Sequence, residues 1–255
     1  MGGQTHAKHP RRQRRFEPLR AFLRASESVS LLPMPQALTT ARLLLRRWRP
    51  SDRQPFQALN ADPRVMEYFP CLMTPDESNE AIMRIEHHFD RHGFGLFAAE
   101  LIQEKALIGF IGLSVPSFDA PFMPAVEIGW RLSADHWGRG LATEGARAVV
   151  SHAFENLGFT SLVSFTVPEN LRSRNVMEKI GMVHDPSADF DHPRLPVGHA
   201  LRHHVLYRLH SEHWSRSASS ENPAEETAGK KRRELQSSGA RDPRRERRLI
   251  LNISI

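Results

Sequence analysis

Residues 126–145 read VEIGWRLSADHWGRGLATEG, and the reading of this stretch decides the fold. Val126, Ile128, Trp130 and Leu132 alternate with Glu127, Gly129 and Arg131, the period-two pattern of a strand. Ser133, Ala134, Asp135 and His136 lead into Gly138 and Gly140 on either side of Arg139, and a helical pattern then runs over 141–157. Strand, glycine turn and helix in that order aim backbone N–H groups at an anion. The first turn of a helix has donors without intrahelical partners and carries about half a positive charge. Glycines let a phosphate approach that backbone closely. Residues 137–143 are therefore expected to hold a phosphorylated ligand.

The pattern is a poor dinucleotide fingerprint. G-R-G-L-A-T supplies two glycines, but Thr143 stands where the third belongs, and the unit follows at least three other strand patterns. It matches better the loop Q/R-x-x-G-x-G/A, here Trp137-Gly138-Arg139-Gly140-Leu141-Ala142, with Trp137 departing from the usual first residue. In this it resembles motif A of the GNAT acetyltransferases. W-G-x-G-x-A-T-E is similar to the ribosomal-protein acetyltransferase-like branch, which acetylates protein N-termini and related amines. A second stretch supports the resemblance. Residues 170–182, NLRSRNVMEKIGM, are similar to motif B, N-x-x-S-x-x-v-x-e-K-x-G-F. The resemblance extends from Thr39 to about His210.

The flanking pattern agrees. Residues 39–48 alternate as a strand, Pro50-Ser51-Asp52 ends it, and a helix is expected near 52–60 with a further helical turn through Tyr68. Thr74-Pro75-Asp76-Glu77 opens a helix carrying Ala81, Ile82, Ile85 and Phe89 at helical spacing, and Gly93 stops it. Residues 96–101 and 106–115 form a hairpin, 161–167 a strand, 171–180 a helix capped by Gly181, and 204–209 a last strand. With an edge at Met182-Val183 the count is seven strands. The resemblance implies an α/β (α+β) GNAT fold: a mixed seven-stranded sheet, splayed between strands four and five, flanked by helices, with acetyl-CoA as acetyl donor in the splay.

Composition sets the boundaries. The chain has 255 residues and a net charge of +6. Residues 1–37 carry seven basic and two acidic residues, 38–210 eighteen and twenty, and 211–255 ten and seven. The basic character lies in the ends, which read as a disordered extension (1–37) and a disordered charged tail (211–255) around a domain at 38–210. Lys230-Lys231-Arg232-Arg233 is a solvated run or a weak contact with ribosome or RNA. A single cysteine, Cys71, excludes an internal disulfide and a cysteine-rich zinc site and fits a reducing, cytoplasmic compartment. No apolar run reaches the roughly 18 residues of a spanning helix, and no export signal or myristoylation motif is expected.

The implied reaction passes an acetyl group from a thioester to an amine, which must be neutral to attack. Near pH 7 an α-amine is roughly a tenth neutral, whereas lysine is neutral in fewer than about one molecule in 10³. Activation therefore costs little over about 1 kcal/mol for an N-terminus and about 4 kcal/mol or more for lysine. One carboxylate is needed as base. Glu127 is the candidate, on the splaying strand and facing away from Ile128 and Trp130, with a strand hydrogen bond as its plainer role. Glu144 reads as a first-turn helix acid.

The resemblance implies that backbone groups near Arg131 and Leu132 pair with the pantetheine arm. It implies that Asn170 reaches the cofactor or substrate while also capping a helix. Many family members carry a tyrosine acid where this chain has Met177, so Ser173, or a water it holds, is the candidate proton donor, with a small residue that makes room for CoA as its plainer role. Arg139 contacts phosphate with its side chain or faces solvent. Trp130 and Trp137 are expected to pack. Residues 189–193 are expected to line the acceptor pocket near a cationic amine or to form an ordinary turn, and His199 with His203 lack the carboxylates of a metal site. The acceptor is a protein N-terminus or a small amine. A catalytically silent module binding CoA, or nucleic acid through the basic ends, is the alternative, with a nicotinamide-dependent dehydrogenase behind it.

Overall fold

The structure, a computed structural model, describes residues 37–218. The basic extension, apart from Ala37, and the Lys230–Arg233 run with its ribosome or RNA contact lie outside the described residues. The chain opens with a tight hairpin of β1 (Ala37–Thr39) and β2 (Leu43–Arg46). A short 3-10 turn leads into α1 (Arg53–Asn60), and α2 (Pro75–His92) follows. Thr74 caps α2 reciprocally with Glu77, and Gly93 ends it in the left-handed conformation, as the sequence expects. Then come β3 (Leu96–Leu101), β4 (Ala106–Ser114), β5 (Glu127–Leu132), α3 (Leu141–Ser151), β6 (Ser161–Thr166) and α4 (Leu171–Lys179). Two short strands, β7 (Val183–His184) and β8 (Phe190–Asp191), precede β9 (His203–His210) and α5 (Ser211–Ala218).

The sheet order is β1-β2-β3-β4-β5-β6-β9-β7, with β8 on β9. All neighbours are antiparallel except β5 and β6. The mixed sheet with flanking helices is as expected, but among the described residues it has nine strands rather than seven. The additions are β1 and β8, three and two residues long, too short to leave an alternation in sequence. The helical pattern of 141–157 is α-helical only to Ser151 and widens into a π turn at His152–Asn156.

The tail boundary also needs correction. Residues 211–218 are helical rather than disordered, because Trp214 packs against the main core. That core is built from both sheet faces. Phe56 of α1 lies edge-on to Phe110 at 6.2 Å, and both are buried. Such burial contributes about 1.5–3 kcal/mol per large side chain. On the opposite face α3 comes down at Gly145, where a Cβ would meet Ile111 at 2.4 Å. A second cluster of Val163, Phe165, Phe190 and Leu206, with Phe118 and Phe122 against it, packs around β6, β8 and β9.

Candidate active site

β5 has two unlike edges. It pairs with β4 at six positions, from Gly109–Leu132 to Ser114–Glu127, but with β6 only at Glu127–Val163. Beyond that pair the strands part. The Ser133 N–H donates to Ile108 O at 2.8 Å. By antiparallel alternation the backbone groups of Arg131 therefore face β4, and those of Trp130 and Leu132 face the splay. Leu132 O is already taken, accepting from Trp137 Nε1 at 2.8 Å. The edge offered to a ligand is thus Trp130 N–H and C=O with Leu132 N–H, and Arg131 enters through its side chain.

The loop after β5 is held in the form an anion site needs. Gly138 and Gly140 take φ of 74° and 76°, a region that a side chain disfavours, and Gly140 is the N-cap of α3. Glu144 braces this turn. It accepts from Thr40 Oγ1 at 2.6 Å, Arg42 N–H at 2.8 Å and Arg42 Nε at 2.6 Å, while Arg42 Nη1 donates to Arg139 O at 2.8 Å. Burial pushes the Glu144 carboxyl up, but these bonds outweigh it and hold it below the usual range. Glu144 is therefore a latch between the loop and the β1–β2 turn.

Splay and loop open on one cleft of about 450 Å³. Glu127, Arg131, Leu132, Trp137, Gly138, Gly140, Leu141, Ala142, Thr143, Asn170 and Ser173 all line it. Arg139 does not, and its carbonyl is fixed by Arg42. Glu127 is 6% exposed and accepts from Ser114 Oγ at 3.3 Å. Asn170 caps α4, accepting from Ser173 N–H at 3.2 Å, and its amide donates to Thr166 Oγ1 at 2.9 Å. Met177 is buried in the core, away from the cleft lining.

Other residues complete the cleft without having been singled out in the sequence. Val65, Tyr68 and Phe69 wall one side. The Tyr68 hydroxyl donates to Glu169 O at 3.2 Å, and burial, then Glu67, raise its pKa. Arg172 pairs with Glu67 and lies 4.4 Å from the Trp137 ring, so the 62–69 segment is tied to α4 across the opening. The one sequence signal was an aromatic pair, Tyr68-Phe69, before Pro70.

Residues 189–193 are not part of this lining, a correction to their expected place around the amine. Asp189 accepts from Leu206 N–H at 2.9 Å and meets His184 Nε2 at 2.9 Å, and Asp191 accepts from Arg202 Nε at 3.0 Å. His192 is fully buried beside Phe118, and burial, then His204, pull it down to about 3. His199 Nδ1 accepts from Leu201 N–H at 3.1 Å. Among the described residues no group of three or more His, Cys, Asp or Glu is placed to hold a metal ion, and no helix is long and apolar enough to cross a membrane.

Known proteins share this fold. The Acetyltransferase (GNAT) domain family matches residues 42–183. The FsC-acetyl coenzyme A-N(2)-transacetylase of Aspergillus fumigatus is 31% identical over 188 residues, covering 70% of this chain and 78% of that protein. The uncharacterized N-acetyltransferase YnaD of Bacillus subtilis is 27% identical over 178 residues, 70% of this chain and 99% of that one. The crystal structure of an acetyltransferase from Agrobacterium tumefaciens superposes with a TM-score of 0.56 at 29% identity, covering 71% of this chain and 98% of that one. Mycobacterium smegmatis RimJ in complex with CoA-disulfide shares the fold at a TM-score of 0.57 and 20% identity, covering 70% and 88%. The chain belongs to the GNAT family and is an acetyl-CoA-dependent N-acetyltransferase.

Proposed function

We propose that the chain transfers the acetyl group to a primary amine, of a protein N-terminus or a small molecule, by direct attack on the thioester. The observation that carries this reading is the convergence of a buried carboxylate, Glu127, and the anion loop 137–143 on one cleft. The loop N–H groups seat the pyrophosphate. Trp130 and Leu132 pair with the pantetheine amides along the splayed edge. Trp137, Gly138, residues 140–143 and Asn170, which line the cleft, flank the cofactor's path. Glu127 takes a proton from the attacking amine, directly or through water. The tetrahedral intermediate collapses, the C–S bond breaks, and the thiolate is protonated by Ser173 or a water it holds. The Aspergillus relative, named for transfer to an N(2) nitrogen, supports an amine acceptor. A cytoplasmic setting is supported by the single cysteine.

The experiment is thiol release from acetyl-CoA with a panel of N-terminal peptides and small amines. Turnover that Glu127→Gln abolishes while acetyl-CoA still binds supports the reading. Binding without turnover on any amine in the wild type favours the silent module instead.

A further inference from the structure

The sheet buries two arginines and provides for them differently. Arg46 on β2 is 5% exposed. It donates Nη1 and Nη2 to Asp52 at 2.7 and 2.9 Å, and Nε to Glu100 at 2.7 Å. Arg131 on β5 is 4% exposed and, among the described residues, donates only Nη1, to Asn60 Oδ1 at 2.8 Å. Its guanidinium lies 4.0 Å from the Phe69 ring and 5.4 Å from Phe110. Its Nε is buried with no hydrogen-bond partner. Among the described residues no carboxylate stands within ion-pair distance of it. Aromatic faces and one amide oxygen offset only part of the cost of a buried cation. Burial pulls its pKa down to about 9, which leaves it charged at neutral pH.

The position of Arg131 gives this arrangement a use. Its side chain lines the cleft on the same face of β5 as Glu127, since strand residues four apart share a face. Gly129 lies between them, and a Cβ there would meet only Glu127 Oε1, at 4.0 Å. Acid, gap and cation thus follow one another along the cleft wall. Acetyl-CoA does not supply the missing anion. Its phosphates belong at the 137–143 loop, and its pantetheine arm and acetyl group are uncharged.

We propose that Arg131 receives a carboxylate on the acceptor, so that the preferred substrate is an amine that also carries an acid, its nitrogen at Glu127 and its carboxylate at Arg131. This rests on the proposed role of Glu127. Four steps along the strand separate the Cα atoms of Glu127 and Arg131 by about 13 Å. The side chains close part of that distance, so several atoms, rather than one shared carbon, lie between amine and acid.

The test compares kcat/KM of the full chain for ω-amino acids of increasing length with their ω-amino carboxamides, which keep the amine and lose the charge. At one length or more the acid is preferred by about tenfold or more, and Arg131→Gln brings the ratio close to one whatever it does to the absolute rates. Arg131→Lys restores part of the preference, through KM rather than kcat. A ratio near one in the wild type, or an unchanged ratio in Arg131→Gln, overturns the proposal while leaving amine acetylation standing. If Arg131→Gln does not melt cooperatively, the Lys variant takes its place, and its ratio must fall below that of the wild type. If no amine is acetylated, the preceding reading fails separately. Calorimetric binding of acid and carboxamide to the CoA-saturated chain then decides: equal affinity overturns the carboxylate site, and a preference lost in the variant supports it.

Discussion

The two edges of β5 differ in one respect that organises the molecule. Toward β4 the strand is paired at six positions, and its neighbours are core residues such as Phe110 and Ile111. Toward β6 it is paired once, and beyond that pair the backbone faces a cleft. The paired edge supplies rigidity, and the open edge supplies unspent hydrogen-bonding groups and space. One strand carries both because Glu127, at the sole β5–β6 pair, is where sheet gives way to site. Damage on the open edge should therefore change activity first, and damage on the paired edge should change stability first.

The sharpest expected effect is on the open side. Glu127→Gln lowers kcat by about 10²–10⁴ and leaves the acetyl-CoA Kd within about twofold, since changes that remove no binding contact stay within about 0.5 kcal/mol. Steady-state and binding measurements on one preparation check this. On the paired side, Gly109→Ala places a Cβ 2.0 Å from Arg131 O at a φ of +141°. That overpacking destabilises the fold by about 1–3 kcal/mol or more, read from urea unfolding, and lowers activity only in proportion to the folded fraction.

Glu144→Gln lies between these cases, because it loosens the loop without touching the cleft chemistry. Loss of its charge-assisted bonds costs about 1–3 kcal/mol at neutral pH. Since its folded pKa is depressed, the Glu144 contribution is full above the ordinary carboxylate value of 4.5 and is lost as pH falls through the lower folded value. The difference in Tm between wild type and variant should therefore be largest near pH 7 and close in acid. The smallest effect belongs to Arg139→Ala. With the side chain off the cleft, the acetyl-CoA Kd should move by less than about 0.5 kcal/mol.

The sequence made the open edge legible, because its chemistry is local. Two glycines, a strand and a helix start lie within twenty residues, and Thr74, Gly93 and Gly181 mark helix ends by rules of short range. What escaped depends on residues distant in the chain. Glu144 is the first-turn helix acid the sequence expects, but nothing near it announces its partners Thr40 and Arg42, about a hundred residues earlier. The wall at Val65, Tyr68 and Phe69 sits on irregular turns that leave no periodicity. Arg131 drew attention through its backbone, whereas its side chain is the unusual feature, since only packing shows that Asn60 is its lone hydrogen-bond partner among the described residues. Asp189 and Asp191 misled in the opposite direction. Acids in a loop look like a pocket for a cation until His184, Arg202 and the Leu206 N–H are found to occupy them.

The central claim is that acetyl-CoA is held by the open edge and its glycine loop. Calorimetric titration of acetyl-CoA into the wild type and into Gly140→Val tests it most directly, with NADH as a control ligand. Gly140 sits at a φ of +76°, and a Cβ added there would meet only Arg42 Nη2, at 3.6 Å, so the substitution strains the loop rather than filling the cleft. The expected result is micromolar binding of acetyl-CoA to the wild type, no response to NADH, and affinity weakened about tenfold or more in Gly140→Val, as strain of about 1–3 kcal/mol implies. Equal affinity in the two proteins would contradict the claim, and the anion site would have to lie elsewhere.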